Sequence, residues 1–293
     1  ARFRTRMAGA IYTPSECAVD SAALCVDLRT RLEQRGVCFE FGVRVRGFQR
    51  HRDGRVTHLV TDQGTRQAED IVLATGPHSA AMARMLGFSV PVYPLKGYSI
   101  TVPILDPHAV PRASVTDAAR KVVYARIGQR LRVAGVVEIR GYDRRLDMSR
   151  IDELVAHTRE AFGDAVDLKS VTPWMGLRPA TPTSVPIIGK SPVDNVFLNI
   201  GQGALGLTLA FGSASRLADA MAAAWSRQLG AMKWHSLVMG PGAALGLPGD
   251  DAAATLRTAR RGRSVAVPAA ACLPADAFVP RPWRARSPRD HSS

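Results

Sequence analysis

The 293 residues predict an α/β fold with α+β elements. Three observations carry this: a helix, strand, hairpin and buried strand open the chain, a largely antiparallel stretch fills its middle, and a strand runs into a long helix near residue 200. At 46% apolar and 22% charged residues, the composition is that of a globular protein able to bury a large core.

Residues 18–35 read AVDSAALCVDLRTRLEQR, with Leu24, Leu28 and Leu32 at four-residue steps and charges between them. That spacing predicts an amphipathic helix, closed by Gly36. Val37, Phe39 and Phe41 then alternate as a strand does. Asp53-Gly54 turns the chain between two strand-like runs, and a second turn near Asp62 and Gly64 leads to Ile71-Val72-Leu73. This apolar triplet suits a buried strand, ended by Thr75-Gly76-Pro77. Together these segments predict a mixed sheet with a three-stranded excursion.

A short helix is expected over 78–87, then a strand over 98–102. Residues 121–127 and 130–137 form a hairpin about Gly128-Gln129, and 149–162 a helix with Ile151, Leu154, Val155 and Phe162 inward. The stretch 173–212 is rich in proline and glycine yet apolar at intervals, which predicts fixed turns around short strands, one of them at 195–200. A helix over 204–225 follows, with Leu209, Leu217, Met221 and Trp225 on its apolar face. Residues 240–293 lack a convincing period and read as disordered or poorly packed, a short helix over 250–261 docking on the domain being the alternative.

The formal charge is +14, but its arginines spread from Arg2 to Arg289 without a lysine-rich block. Scattered surface charge is therefore preferred over a basic patch for nucleic acid or an anionic membrane. Cys17, Cys25, Cys38 and Cys272 form no CxxC pair or ligand cluster, so reduced, partly buried cysteines are expected and no metal site. No run of eighteen apolar residues is long enough to span a bilayer.

Gly201, Gly203 and Gly206 follow a strand and precede a helix. Free N–H groups of a first helical turn suit an anion or a polar ring, Ala204 allows close approach, and Thr208 adds a hydroxyl; a plain turn is the competing reading. No GxGxxG opens a βαβ unit, since residues 201–206 are not followed by a second strand and acidic residue at the usual distance. Arg178 lies in GLRP, between Gly176 and Pro179, where a rigid guanidinium would clamp a carboxylate; an arginine serving backbone carbonyls is the alternative. Tyr98, Tyr124 and Tyr12 are candidates for substrate contact, against the commoner role of core-edge residues.

The segments IYTP at 11–14, ATGPHSAAM at 74–82, VPVYPLKGYSITVPI at 90–104, WMGLRPATPTSVPIIG at 174–189 and NVFLNIGQGALGLTLAFGSASRLAD at 195–219 resemble the small subunits of bacterial D-amino-acid dehydrogenases. These belong to the FAD-dependent amino-acid oxidoreductases. The resemblance runs from about residue 9 to about residue 225. It implies a partial FAD-binding, Rossmann-like domain at 1–89 and 174–235, interleaved with an antiparallel-sheet substrate domain at 90–173, and a non-homologous tail at 236–293. It also implies that the amino-terminal segment holding the dinucleotide is missing from this chain.

The activity implied is oxidative deamination of D-amino acids to 2-oxo acids and ammonia. A hydride would pass to FAD, and electrons onward to a respiratory acceptor such as a quinone. The location implied is cytoplasmic, either free or peripheral on the inner face of the membrane. A non-catalytic remnant, or a related glycine, proline or amine oxidoreductase, is the alternative. By resemblance, Arg178 is the carboxylate clamp; Tyr98, as a candidate for substrate contact, is placed with it in the catalytic set. Gly76 and the run Gly201, Gln202, Gly203, Ala204, Leu205, Gly206, Leu207 and Thr208 contact the flavin. Gln202 stands where the family has histidine, Thr183-Ser184 where it has aspartate-glycine, and Leu207 where tryptophan is common.

Overall fold

The computed structural model describes residues 9–236 and 265–266. In chain order the elements are α1 (Ser21–Glu33), β1 (Val45–Arg50), β2 (Val56–Thr61), β3 (Gly64–Gln67), β4 (Asp70–Leu73), α2 (Ser79–Met85), β5 (Tyr93–Pro103), β6 (Val115–Asp117), β7 (Val122–Ile127), β8 (Arg130–Glu138), α3 (Met148–Phe162), β9 (Thr172–Ala180), β10 (Ile187–Lys190), β11 (Val196–Ile200), α4 (Ala210–Ser236) and β12 (Val265–Ala266). They fall into two compact units. Among the described residues, one unit holds 9–39 and 94–178, and the other holds 40–93, 179–236 and 265–266. The junctions lie at 93/94 and 178/179, a few residues beyond the expected 89/90 and 173/174, and residues 9–39 group with the antiparallel sheet. The expected tail beyond residue 236 lies outside the described residues, apart from β12.

In the first unit the strands run in the order β6-β7-β8-β5-β9, the pairs from β6 to β5 being antiparallel. Helix α3 covers one face. Its start is capped by the Asp147 carboxylate, which accepts from Ser149 N–H, and its end by Gly163 at φ +56°. Ile151, Leu154, Val155, Thr158 and Phe162 point inward at helical spacing. They pack on Tyr98, Ile100, Val102, Val122, Tyr124, Leu131 and Val133. Tyr124 meets Phe162 edge-on, with ring centroids 5.3 Å apart. Helix α1 forms where the leucine spacing predicts it, capped by Asp20, but none of its residues is buried.

The second unit is built on a mixed sheet, β10-β11-β4-β12, in which β4 runs parallel to β11 and to β12. Every residue of β4 is buried, as the continuous apolar run requires of a strand covered on both faces. Leu217, Met221 and Ala224 of α4 pack on Val72 and Phe197. A second core gathers Val56, Leu59, Ile71, Leu73, Leu86, Val196, Leu198 and Ile200. Strands β1 to β3 form the expected three-stranded excursion. Asn195, 1% exposed, ties it to the main sheet: its side chain accepts from Val56 N–H at 2.9 Å and donates to the carbonyls of Val56 and Glu69, both at 2.7 Å.

Four expectations are corrected. Val37, Phe39 and Phe41 are exposed and belong to no strand, because alternation makes a strand only where a neighbouring edge takes up the backbone polar groups. Arg178 sits inside a nine-residue strand and not in a turn; β9 is an edge strand, where Pro179 is tolerated. Helix α4 begins at Ala210, a short 3-10 turn at Gly203–Leu205 occupying its expected start. Cys17, Cys25 and Cys38 are exposed, not partly buried, since the segment carrying them makes little core.

Candidate functional site

Strand β5 alternates, so Gly97 and Ser99 share one face while Lys96 and Tyr98 share the other. The first of these faces carries Arg178, from the neighbouring β9. A Cβ built on Gly97 would lie 2.8 Å from Arg178 Nε, 2.8 Å from Nη2 and 2.9 Å from Cζ, so the guanidinium rests flat against the bare glycine. Arg178 is partly buried and, among the described residues, has no hydrogen bond or ion pair within the protein. Burial alone perturbs it, drawing its pKa down. Two residues along β5, Ser99 is 2% exposed and its Oγ also lacks a hydrogen-bond partner among the described residues.

On β9 the alternation places Trp174, Gly176 and Arg178 on one face. The Trp174 indole folds over Gly176, where a Cβ would come within 2.1 Å of it. Arg132 Cζ lies 5.2 Å from the indole centroid and braces it by a cation–π contact. A guanidinium with free parallel donors, beside a half-exposed indole, is arranged to take a carboxylate.

The other face of β5 is fully paired. Tyr98 is 1% exposed, and its hydroxyl donates to Glu138 Oε2 at 2.7 Å. Arg150 Nε donates to Glu138 Oε1 at 3.1 Å. The Tyr98 bond first, then Arg150, hold the Glu138 carboxyl below its ordinary pKa; burial and the same bond push the Tyr98 hydroxyl up. Lys96, 2% exposed, donates to the Arg145 carbonyl at 2.5 Å, stands 3.7 Å from Asp143 and lies over the Tyr98 ring. Tyr98, expected at the substrate, therefore has its hydroxyl occupied inside the core beneath α3. Strand alternation puts it on the face opposite Gly97.

In the second unit, β4 and β11 are parallel neighbours in register from Val196↔Ile71 to Leu198↔Leu73. Both end at the same edge of the sheet, so the turns at Gly76 and Gly201 emerge side by side. Ligands of open α/β sheets bind at this carboxyl edge. Gly76 has φ +53° and Gly201 φ +82°. A Cβ on Gly201 would stand 2.6 Å from Thr181 Cγ2, so this glycine is needed for close packing. Gly203, at φ +57°, and Gly206 are different: a Cβ on either would meet nothing within 4 Å. Bare backbone there faces open space, a fit for the edge or face of a flat ring. Ala204, Leu205, Leu207 and Thr208 are exposed along the same turn. Gln202 is tied back, its Nε2 donating to Asn199 Oδ1 at 2.6 Å. The residues that would hold a flavin ring therefore fit, whereas the 293 residues contain no GxGxxG-led βαβ unit for a dinucleotide.

Gly97, Ser99, Trp174, Glu138 and Lys96 were not singled out from the sequence. Two signals were available: the KGY and WMG triplets each set a glycine beside a large side chain.

The pattern of the family described as FAD dependent oxidoreductase matches residues 1–220. D-amino acid dehydrogenase of Paramagnetospirillum magneticum is 41% identical over 213 residues, covering 73% of this chain and 50% of that protein. D-amino acid dehydrogenase 2 of Ralstonia nicotianae is 44% identical over 228 residues, covering 75% and 53%. The chain thus spans about half the length of the curated relatives it matches. Among solved structures, glycine oxidase from Geobacillus kaustophilus matches with a TM-score of 0.61 at 24% identity, over 67% of this chain and 52% of that one. L-proline dehydrogenase from P. horikoshii matches with a TM-score of 0.57 at 16% identity, over 64% and 51%. At those identities the likeness is one of fold.

Proposed function

The chain belongs to the FAD dependent oxidoreductase family, and from that premise we propose that it carries the substrate-binding sheet and the ring-binding turn of an enzyme that oxidatively deaminates D-amino acids. The observation that carries the reading is the unpaired, partly buried guanidinium of Arg178. A buried cation without a counter-ion is costly unless a ligand supplies the negative charge. The relatives named D-amino acid dehydrogenases, at 41% and 44% identity, support the choice of substrate class.

Arg178 takes the substrate carboxylate through two parallel N–H bonds and so fixes the direction of the α-C–H bond. Gly76 and residues 201–208 hold the flavin ring, the bare backbone at Gly203 and Gly206 allowing its close approach. FAD, when bound, supplies the acceptor for the hydride that leaves the α-carbon. The substrate is left as an imino acid, which water hydrolyses to a 2-oxo acid and ammonia. Tyr98 serves this site indirectly: its bond to Glu138 stiffens the strand that carries Gly97. The electrons pass on to a respiratory carrier such as a quinone, at the cytoplasmic side of the membrane. Among the described residues no helix is long and apolar enough to cross a membrane.

The test is anaerobic reduction of the flavin in the purified protein that carries this chain. Bleaching by D-alanine and not by L-alanine is expected. A protein that takes up no flavin, or whose flavin is reduced by the L-isomer alone, overturns the reading.

A further inference from the structure

Nothing in the protein holds Arg178 by a polar bond among the described residues, so packing must set the position of its fork. The packing partner is Gly97. The three heavy atoms nearest to a Cβ at this position all belong to the guanidinium, at 2.8, 2.8 and 2.9 Å. Carbon atoms in ordinary contact stand roughly 3.5–4.0 Å apart, so a methyl group here would displace the fork by more than about half an ångström.

A second observation falls on the same spot. Opposite Gly97 and Tyr98 the register of β8 slips, Gly97 pairing with Val137 and Tyr98 with Gly135. The extra residue, Val136, has φ +58°, a left-handed conformation that a β-branched side chain rarely adopts. A bulge bends and re-aims the strands around it, and strain of this kind gathers at functional sites.

We propose that Gly97 is a positioning residue for the substrate carboxylate: its missing side chain sets where Arg178 holds its fork. The inference rests on the functional reading above. It differs from a packing role because the obstacle to a methyl group is the far end of a flexible side chain, not backbone or core. Gly97→Ala should therefore move the arginine and leave the fold in place.

The test compares Gly97→Ala, Arg178→Ala and the double variant in the flavin-loaded protein. The readouts are thermal melting, flavin content, the affinity for benzoate by calorimetry, and kcat and KM for D-alanine. Gly97→Ala should weaken benzoate binding and lower kcat/KM by roughly 10–100-fold, since a misplacement near 1 Å costs up to about 10²-fold, with melting and flavin content little changed. In the Arg178→Ala background the same substitution should cost nothing further, because the glycine acts through the arginine. Benzoate affinity within about twofold of wild type, or an undiminished effect in the Arg178→Ala background, overturns the proposal. Should Gly97→Ala fail to fold, the double variant decides. With the obstacle removed it should melt like Arg178→Ala, and failure to do so shows that Gly97 serves the fold. Wild-type protein that neither binds benzoate nor is reduced by any D-amino acid overturns the functional reading, and this proposal with it.

Discussion

The two faces of β5 differ in how their polar groups are satisfied. Beneath α3, Lys96 and Tyr98 are buried and paired, to the Arg145 carbonyl and Asp143 in one case and to Glu138 in the other. On the opposite face the Arg178 guanidinium and the Ser99 hydroxyl have no protein partner among the described residues. Buried polar groups in native proteins are nearly always hydrogen-bonded, so each exception needs a cause, and on this face a bound carboxylate is the one we propose. A paired network reports on stability, and an unpaired group on binding.

The sharpest way to break this comparison is Arg178→Ala. Catalytic efficiency with D-alanine should fall by roughly 10²–10⁴, if the clamp supplies about 3–5 kcal/mol. Arg178→Lys keeps the charge but loses the fork, and should fall nearly as far. Flavin content and melting temperature should hold in both; near-normal flavin reduction kinetics in the alanine variant would return Arg178 to a structural role.

On the paired face the pattern should invert. Glu138→Ala deprives the Tyr98 hydroxyl and Arg150 of their acceptor, and should cost about 2–3 kcal/mol in urea unfolding. KM for D-alanine should stay close to wild type; a large rise in KM without loss of stability would erase the distinction between the faces.

A smaller effect separates two glycines. Gly201 has φ +82° and no room beside Thr181, so Gly201→Ala should lose about 1–3 kcal/mol of stability. Gly97 has ordinary strand geometry and only the arginine above it, so Gly97→Ala should lose far less. Parallel melting curves of the two variants provide the check.

The smallest expected effect is in pH. Glu138 has its folded pKa lowered by Tyr98 and Arg150. Its contribution is therefore fully present above the ordinary glutamate range and is lost as pH falls through the lower, folded-state value. Glu138→Gln should flatten stability against pH in this acid window and nowhere near neutrality. An unchanged acid slope in the variant would show that other carboxylates set it.

Where an element depends on its own residues, the sequence was enough. The inward stripe of α3, the hairpin about Gly128 and the buried β4 lie within a residue or so of their expected places, because period and turn chemistry act over short spans. The GLRP arginine and the glycine run at 201–206 were legible as motifs for the same reason. The pairing of strands distant in sequence was not. That β9 joins β5 as an edge strand, laying Arg178 on Gly97, joins residues 81 positions apart. That β4 and β11 lie side by side brings Gly76 and Gly201 to one edge. The tertiary structure also put Tyr98 on the face of β5 opposite Gly97 and Arg178, because the side that α3 covers became the core. Sequence determined which residues could alternate, turn or carry charge; long-range pairing decided which face was covered, and so which of those charges were left without a partner.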